Sequence, residues 1–278
     1  MNKINQSYGI STNEREIIDL SELFVLLTYQ CNGNCPYCIE RRIGEKGFLS
    51  EEDYDKALSF AKEKGLKTIF LHGGEPTIHP DVVKFAKKAK DAGFTVKMFT
   101  NGIFKKRIYE LDGIVDEIAI SYRDESSLSY NQNDFKSRLL LQVLVTEDKF
   151  PTFDYLKDFL KKAKETGMHV RINTLNPVNQ WAYEHQYVSY IEDYFLALPD
   201  EEILCASNKA MFWIDGIGFR MSNKSLNPGH LKYSMTPKGE MQYQFERFFD
   251  EIVKDENMEA KLKPGRDKLN RLLNGTVD

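Results

Sequence analysis

The sequence predicts an α/β protein built around a parallel sheet, and three observations support that fold class. Short apolar segments alternate along the chain with longer segments whose apolar residues recur at helical spacing. This alternation repeats six times before about residue 200. Polar, glycine-containing or cysteine-containing stretches follow the predicted strands, as expected where parallel sheets carry their functional loops. The pattern therefore predicts parallel strands joined by right-handed helical crossovers.

The first half of the predicted sheet begins at residues 23–27, an apolar run typical of a buried strand. Residues 1–20 carry no strong pattern and are predicted to lead into that strand. Ser50 can N-cap a helix that Gly65 ends, because a serine side chain accepts hydrogen bonds from the free N–H groups of a first turn. The next predicted elements are a strand at 67–72, a helix from Asp81 to Gly93, and a strand at 95–99.

The alternation continues through the middle of the chain. The predicted elements are a short helix at 103–110, a strand at 117–121, a polar helix or loop at 125–138, a strand at 140–145, a helix at 153–166 and a strand at 170–173. Six strand and helix units are too few to close a barrel of eight. We assign them to one α/β domain that spans residues 21–200.

The pattern changes after a predicted helix at 181–197. Residues 211–221 predict two short strands around Asp215-Gly216, because that dipeptide favours a tight hairpin turn. We assign residues 201–278 to a small C-terminal extension. Its other predicted elements are a hairpin from Leu231 to Tyr243 and helices at 240–254 and 257–273.

Composition narrows the classes of partner. The chain has 278 residues, 41% of them apolar, and a formal net charge of −4 with lysine and arginine dispersed among acidic residues. No basic surface for structured nucleic acid is indicated. Neither an apolar run of about 18 residues nor a secretory signal is present, so we expect no membrane span and a cytoplasmic location. A reducing compartment also suits free thiols.

Three of the four cysteines, Cys31, Cys35 and Cys38, lie directly after the first predicted strand. Three thiolates with no fourth Cys or His beside them do not complete the closed tetrahedral ligand set of a structural zinc site. An iron–sulfur cluster held by three cysteines, with one iron open to a further ligand, fits their spacing better. A zinc site or a redox thiol set is the alternative.

The spacing Cys-x3-Cys-x2-Cys, with Tyr37 before the third cysteine, resembles the defining motif of the radical S-adenosylmethionine (radical SAM) superfamily. His72-Gly73-Gly74-Glu75-Pro76, after the second predicted strand, resembles the Gly-Gly-Glu-Pro segment of the same family. The resemblance covers roughly residues 20–200. It implies a partial (β/α)6 TIM-like barrel whose cofactors are a [4Fe–4S] cluster and S-adenosylmethionine. In that family the reduced cluster cleaves S-adenosylmethionine to a 5′-deoxyadenosyl radical, which abstracts a hydrogen atom from the substrate.

The resemblance also implies contacts to the cofactor. Gly73 and Gly74 would let the backbone approach the methionine moiety, since glycine has no side chain to collide with it. Glu75 and the backbone near Gly73 would bind the amino group, with Pro76 completing the segment. Related enzymes place backbone atoms against adenine at Tyr37, and polar contacts to the carboxylate and ribose at Thr100, Asn101 and Ser121.

Each of these positions also has a simpler interpretation. The glycine segment is compatible with an ordinary strand-to-helix turn, and polar residues at strand ends commonly cap the backbone. Arg171 and Asn173 alternate with apolar neighbours, so both face one side of the sixth strand. If that side is the barrel interior, Arg171 suits a cofactor carboxylate. If it is the exterior, Arg171 forms a surface ion pair.

Cys205 is the remaining cysteine. The run Cys205-Ala206-Ser207-Asn208 before a hairpin resembles the start of the extension that binds auxiliary clusters in peptide-modifying relatives. No cysteine follows it here, so an auxiliary cluster is not expected. Cys205 is predicted either to be an inert buried thiol or to donate a hydrogen atom to a substrate radical.

The sequence therefore predicts a radical SAM enzyme that rearranges, couples or epimerises a small-molecule or peptide substrate. A flavodoxin-type or ferredoxin-type protein is the expected electron donor. One alternative is a glycyl-radical activating enzyme or a 7-carboxy-7-deazaguanine synthase-like enzyme. The other is a non-catalytic iron–sulfur or zinc-binding module.

Overall fold

Six parallel strands form the centre of one sheet. The structure is a computed structural model that describes residues 21–38, 46–206, 209–222, 233–243 and 253–274. Each of the six strands pairs in parallel with the next one along the chain, which confirms the predicted α/β class. The strands are β1 Glu22–Leu26, β2 Thr68–His72, β3 Thr95–Thr100, β4 Glu117–Ser121, β5 Arg138–Val145 and β6 His169–Thr174.

Helices connect these strands close to their predicted positions. Ser50 caps the first of them by accepting a hydrogen bond from the Asp53 N–H, and Thr152 caps the fourth in the same way. The polar segment at 125–138 contains two single 3₁₀ turns and no α-helix. The helices are α1 Glu51–Glu63, α2 Val82–Asp91, α3 Lys105–Leu111, α4 Phe153–Glu165, α5 Gln180–Glu184, α6 Ser189–Ala197 and α7 Glu256–Asn274.

The two faces of the sheet differ in composition. One face carries Ile69, Leu71 and the apolar residues in register with them on the neighbouring strands, which pack with the helices in a buried core. The opposite face carries an aromatic stack in which the Phe70 ring lies 4.8 Å from Phe24 and 4.5 Å from Phe99. Residues of a strand alternate between faces, so this second face is the inside of the partial barrel.

The C-terminal strands extend both edges of that barrel. β7 Leu204–Ala206, β8 Lys209–Ile214 and β9 Ile217–Ser222 form a meander, while β10 Tyr233–Met235 and β11 Met241–Tyr243 form a hairpin. β9 pairs in parallel with β6, and β10 pairs in parallel with β1. The strand order is therefore β11-β10-β1-β2-β3-β4-β5-β6-β9-β8-β7.

Both predicted hairpins are confirmed, and Asp215 and Gly216 have the positive φ angles of 50° and 75° that such a tight turn requires. The predicted helix at 240–254 is wrong at its start, because Met241–Tyr243 pairs with β10 as β11. The single helix predicted at 181–197 is divided into α5 and α6. The predicted lead-in at 1–20 lies outside the described residues. None of the described helices is long and apolar enough to cross a membrane.

Candidate active site

A cavity of about 390 Å³ opens at the carboxyl ends of the parallel strands. Residues from the loop after β1, from the ends of β2 to β6 and from β9 line it. Most of the residues singled out from the sequence meet there. They are Cys31, Cys35, Tyr37, Cys38, Gly73, Gly74, Glu75, Thr100, Asn101, Ser121 and Asn173.

The three thiols share this cavity. Cys31 is exposed, and Cys35 and Cys38 are half-buried in a turn in which the Cys38 N–H donates to the Cys35 carbonyl at 3.1 Å. Partial burial raises the pKa of the Cys31 thiol. Among the described residues, no group of three His, Cys, Asp or Glu side chains converges as the ligands of a single metal ion do. Three soft donors around one cavity fit an iron–sulfur cluster.

Two amide groups lie against the first of these thiols. The Gly33 N–H donates to Cys31 Sγ at 3.2 Å, and Asn101 Nδ2 lies 3.6 Å from the same sulfur. Asn101 Nδ2 also donates to Asn32 Oδ1 at 2.7 Å, so it joins the loop after β3 to the cysteine loop. Donors at a cysteine sulfur stabilise its thiolate form, the form that binds a metal.

The cysteine loop packs directly on the glycine segment after β2. The Gly74 N–H donates to the Thr28 carbonyl at 2.6 Å, and the Glu75 N–H donates to the Gln30 carbonyl at 2.9 Å. A Cβ atom added at Gly74 would lie 2.1 Å from the Gln30 oxygen, and one at Gly73 would lie 2.4 Å from the Thr28 oxygen. The space that a side chain would occupy at these glycines is thus filled by the backbone of the cysteine loop. Close packing of two loops is therefore a second reason why glycine is needed here, besides the predicted approach of the cofactor.

Glu75 connects the ends of β2 and β3. Its side chain is 1% exposed, and burial raises the pKa of its carboxyl group. Oε1 accepts hydrogen bonds from Thr77 N–H, Thr77 Oγ1 and Thr100 Oγ1, and Oε2 accepts one from the Asn101 N–H at 2.7 Å. The carboxylate therefore holds two loops of the cavity in place.

The far wall of the cavity comes from the later strands. Ser121 of β4 pairs with Gln142 of β5, and Asn173 of β6 pairs with Arg220 of β9. All four residues line the cavity. Sequence reasoning missed Gln142 and Arg220, although a lone glutamine within the apolar run of β5 was a detectable signal. Arg220 had no comparable signal, because its hairpin was assigned to an extension.

His72 also lines the cavity, and it is neutral. Burial lowers its pKa to about 4. Its Nδ1 accepts the Gly73 N–H at 2.5 Å, so the ring proton resides on Nε2. The ring lies beside Phe24 and Phe99 on the inner face of the barrel.

A third missed residue supports the cysteine loop from the other side. Asn179 is fully buried, and it caps α5 by accepting the Ala182 N–H at 2.7 Å. Its Nδ2 donates to the Pro36 carbonyl at 3.1 Å. The N-terminus of α5 is thereby fixed to the Cys35-to-Cys38 turn.

Three predicted residues do not line the cavity. Pro76 is buried at the start of a 3₁₀ turn that Glu75 caps. Arg171 lies half-buried on the cavity-facing side of β6, below Asn173, and its Nε has no hydrogen-bond partner among the described residues. Cys205 lies on β7, which two strands separate from β6, and burial raises the pKa of its half-buried thiol.

The fold and the site place the chain in the class of α/β partial-barrel proteins with a thiol-lined cavity. The model of the Radical SAM superfamily matches residues 25–181, more than half of the sequence. The chain belongs to that superfamily. Members of the family use a [4Fe–4S] cluster and S-adenosylmethionine, and the cavity holds the donor set that such a cluster requires.

Two relatives illustrate the similarity in sequence. A Methanocaldococcus jannaschii protein, named as a candidate glycyl-radical enzyme activating enzyme, is 36% identical over 117 residues, which are 42% of this chain and 43% of that protein. The S-adenosylmethionine-dependent nucleotide dehydratase of a Thermoplasmatales archaeon is 33% identical over 94 residues, which are 33% of this chain and 34% of that protein. The matches thus span less than half the length of these relatives.

Solved structures show the same fold. SuiB of Streptococcus suis bound to its precursor peptide SuiA superposes with a TM-score of 0.58 at 13% identity, covering 92% of this chain and 66% of that chain. SuiB bound to S-adenosylmethionine gives a TM-score of 0.55 and covers 92% of this chain and 67% of the other. This similarity confirms the partial TIM-like barrel.

Proposed function

We propose that the protein is a radical SAM enzyme that abstracts a hydrogen atom from a small-molecule or peptide substrate. One observation carries the proposal: the three thiols, the glycine segment and the polar ends of β3, β4 and β6 all line one cavity. When bound, the cluster and S-adenosylmethionine supply the 5′-deoxyadenosyl radical. The chain's own residues bind and orient these groups.

Cys31, Cys35 and Cys38 hold the cluster in this proposal. The Gly33 and Asn101 amides, at 3.2 Å and 3.6 Å from Cys31 Sγ, stabilise the thiolate at that position. Three protein ligands leave one iron for the cofactor.

S-adenosylmethionine lies against the remaining polar wall. The glycine segment, Thr100 and Asn101 border one side of the cavity, and Ser121 and Asn173 border the other. Glu75 acts as a positioning residue, because its two oxygens already accept four hydrogen bonds from the protein. The backbone of Tyr37, next to the third cysteine, would contact the adenine.

The substrate enters the same cavity, and a flavodoxin-type or ferredoxin-type protein supplies the electron. Peptide substrates gain support from the fold shared with SuiB. A glycyl-radical activating enzyme is a second candidate, because the archaeal relative with 36% identity carries that name. The two candidate functions differ in the size of the substrate, since an activating enzyme acts on a folded partner protein.

The proposal is tested with protein reconstituted anaerobically and reduced with dithionite. We expect about four irons per chain and conversion of S-adenosylmethionine to 5′-deoxyadenosine and methionine, measured by liquid chromatography. Cys35→Ala removes a ligand and should abolish both cluster and turnover. Cys205→Ala is the matched control, because Cys205 lies outside the cavity, and it should retain both.

Stoichiometric zinc in place of iron, or intact S-adenosylmethionine after reduction of a fully loaded protein, would reject the proposed activity. Loss of the cluster in Cys205→Ala would show that the ligand set is assigned wrongly.

A further inference from the structure

Arg220 is a cavity residue without a counter-ion. Its side chain is half-buried on β9 and lines the cavity next to Asn173. Within the part of the chain that the structure describes, no hydrogen bond or ion pair reaches its guanidinium. Burial lowers the pKa of Arg220, and no neighbouring carboxylate offsets that effect. A guanidinium remains charged in proteins, so an anion bound in the cavity would pair with this charge.

The described lining of the cavity provides no such anion. Glu75 is its only carboxylate among the described residues, and both oxygens of Glu75 are occupied by protein donors. Arg171 is a neighbouring cation, since burial and then the charge of Arg220 lower its pKa. The far wall is therefore electropositive.

The position of Arg220 in the chain separates it from the cofactor's own contacts. All members of the family use the same cofactor, so we expect the contacts to that cofactor within the segment that the family model matches. That segment ends at residue 181. Arg220 lies beyond that segment, on a strand that the C-terminal region adds to the barrel edge. Arg123 lies inside the segment and lines the same cavity, and its buried Nη1 has no partner in the part of the chain that the structure describes. The single carboxylate of S-adenosylmethionine needs only one guanidinium. Arg123 is the cavity-lining arginine among the described residues of the matched segment.

We propose that Arg220 binds an oxyanion of the substrate, a carboxylate or a phosphate, and thereby orients the substrate in the cavity. A planar guanidinium accepts either group through two parallel hydrogen bonds, which fixes orientation as well as affinity. The apolar side chains of Phe99, Leu144 and Val178 line the same cavity and suit the uncharged body of such a molecule. This inference rests on the proposed function and names the substrate class for that site.

Isothermal titration calorimetry of the reconstituted protein saturated with S-adenosylmethionine tests the inference. Inorganic phosphate and acetate are the two probes, titrated separately at constant ionic strength maintained with chloride. We expect one of them to bind saturably at one site per chain, and the probe that binds more tightly identifies the substrate's anion as phosphate or carboxylate. Arg220→Gln should weaken that binding at least about tenfold, and Arg220→Lys should restore part of it.

Arg138→Gln is the matched control, because Arg138 is exposed and does not line the cavity. Its Nη1 lies 3.5 Å from Glu117 Oε2. It should bind the probe as the wild type does. The affinity for S-adenosylmethionine, measured in the same instrument, should change less than about threefold in Arg220→Gln, since the cofactor's carboxylate lies elsewhere.

Failure of both probes to bind, or equal binding by wild type and Arg220→Gln, overturns the inference. A loss of S-adenosylmethionine affinity equal to the loss of probe affinity also overturns it, because Arg220 would then hold the cofactor. Production of 5′-deoxyadenosine by the reduced wild type is recorded separately. Its absence rejects the proposed enzymatic function, whereas the titrations alone decide whether Arg220 binds an oxyanion.

Discussion

Glu75 shows how one buried side chain can hold two loops of a site together. Four hydrogen bonds converge on its carboxylate, and all of them come from the two loops after β2 and β3. Both of its oxygens accept hydrogen bonds from the protein, and burial raises the pKa of the carboxyl group. Asn101, held through its backbone by Glu75, then presents its amide to Cys31. A buried acid thus fixes the position of a donor at a thiolate.

Gly74 is the residue at which the smallest change should have a large effect. Gly74→Ala places a Cβ where the Gln30 oxygen lies at 2.1 Å, so the cysteine loop must move away from the glycine segment. We expect a loss of about 1–3 kcal/mol in the free energy of unfolding, together with a lower iron content. Urea unfolding and iron analysis of the purified protein measure the two effects.

Gly33→Ala is the matched control within the same loop. Its added Cβ would meet its nearest neighbours, Asn101 Nδ2 and Cys31 Sγ, at 3.5 Å, an ordinary contact distance. It should retain stability and iron. Equal behaviour of the two variants would show that the close backbone approach at Gly74 is not needed.

At the scale of elements, α5 is a short helix whose N-cap residue supports the cysteine loop. Its cap, Asn179, has two functions that different atoms perform: Oδ1 accepts the Ala182 N–H, and Nδ2 donates to the Pro36 carbonyl. The two functions can therefore be separated by substitution.

Asn179→Ala removes both hydrogen bonds, whereas Asn179→Ser keeps an oxygen that can cap the helix and removes the amide donor. We expect the alanine variant to lose about 1 kcal/mol of stability and the serine variant to lose less. Both should release iron to a chelator faster than the wild type, because the Pro36 carbonyl loses its donor. Iron release at the wild-type rate from Asn179→Ser would show that the bond to Pro36 does not support the loop.

At the scale of the whole molecule, the C-terminal strands complete the barrel edges. β9 covers the edge of β6, β10 covers the edge of β1, and Phe212 and Phe219 are fully buried. A chain that ends at residue 200 would expose both edges, and exposed edges pair with other chains.

We therefore expect the 1–200 fragment to aggregate or to unfold without a cooperative transition. Size-exclusion chromatography and urea unfolding, each compared with the full chain, measure this. A monomeric fragment with a cooperative transition would show that the partial barrel is stable without its added strands.

The sequence predicted the parallel sheet, the cysteine loop and the glycine segment because local patterns encode them. Apolar runs in strands, Ser50 before an acidic first turn and three cysteines at fixed spacing are all visible within a few residues. Asn179 was missed because its role depends on a partner far away in the chain, and Arg220 was missed because its hairpin was assigned to an extension. Gln142 was missed although it interrupts the apolar run of β5. Asn179 contacts Pro36 across 143 positions, and no local pattern records such a contact. Residues 241–243 were included in both the predicted hairpin and the predicted helix, and their pairing with β10 decides in favour of the strand.

The pairing of β1 with β10 has a consequence for folding during synthesis. Leu23 is in register with Tyr233, which follows it by 210 positions. At a translation rate of roughly 5–20 residues per second, β1 is made about 10 to 40 seconds before its outer partner exists. During that interval β2 can cover one side of β1 while the other side stays open. The open side of β1 precedes the cysteine loop in the chain. We expect the nascent chain to be most vulnerable to strand mispairing, and hence most dependent on chaperones, until β10 has emerged from the ribosome.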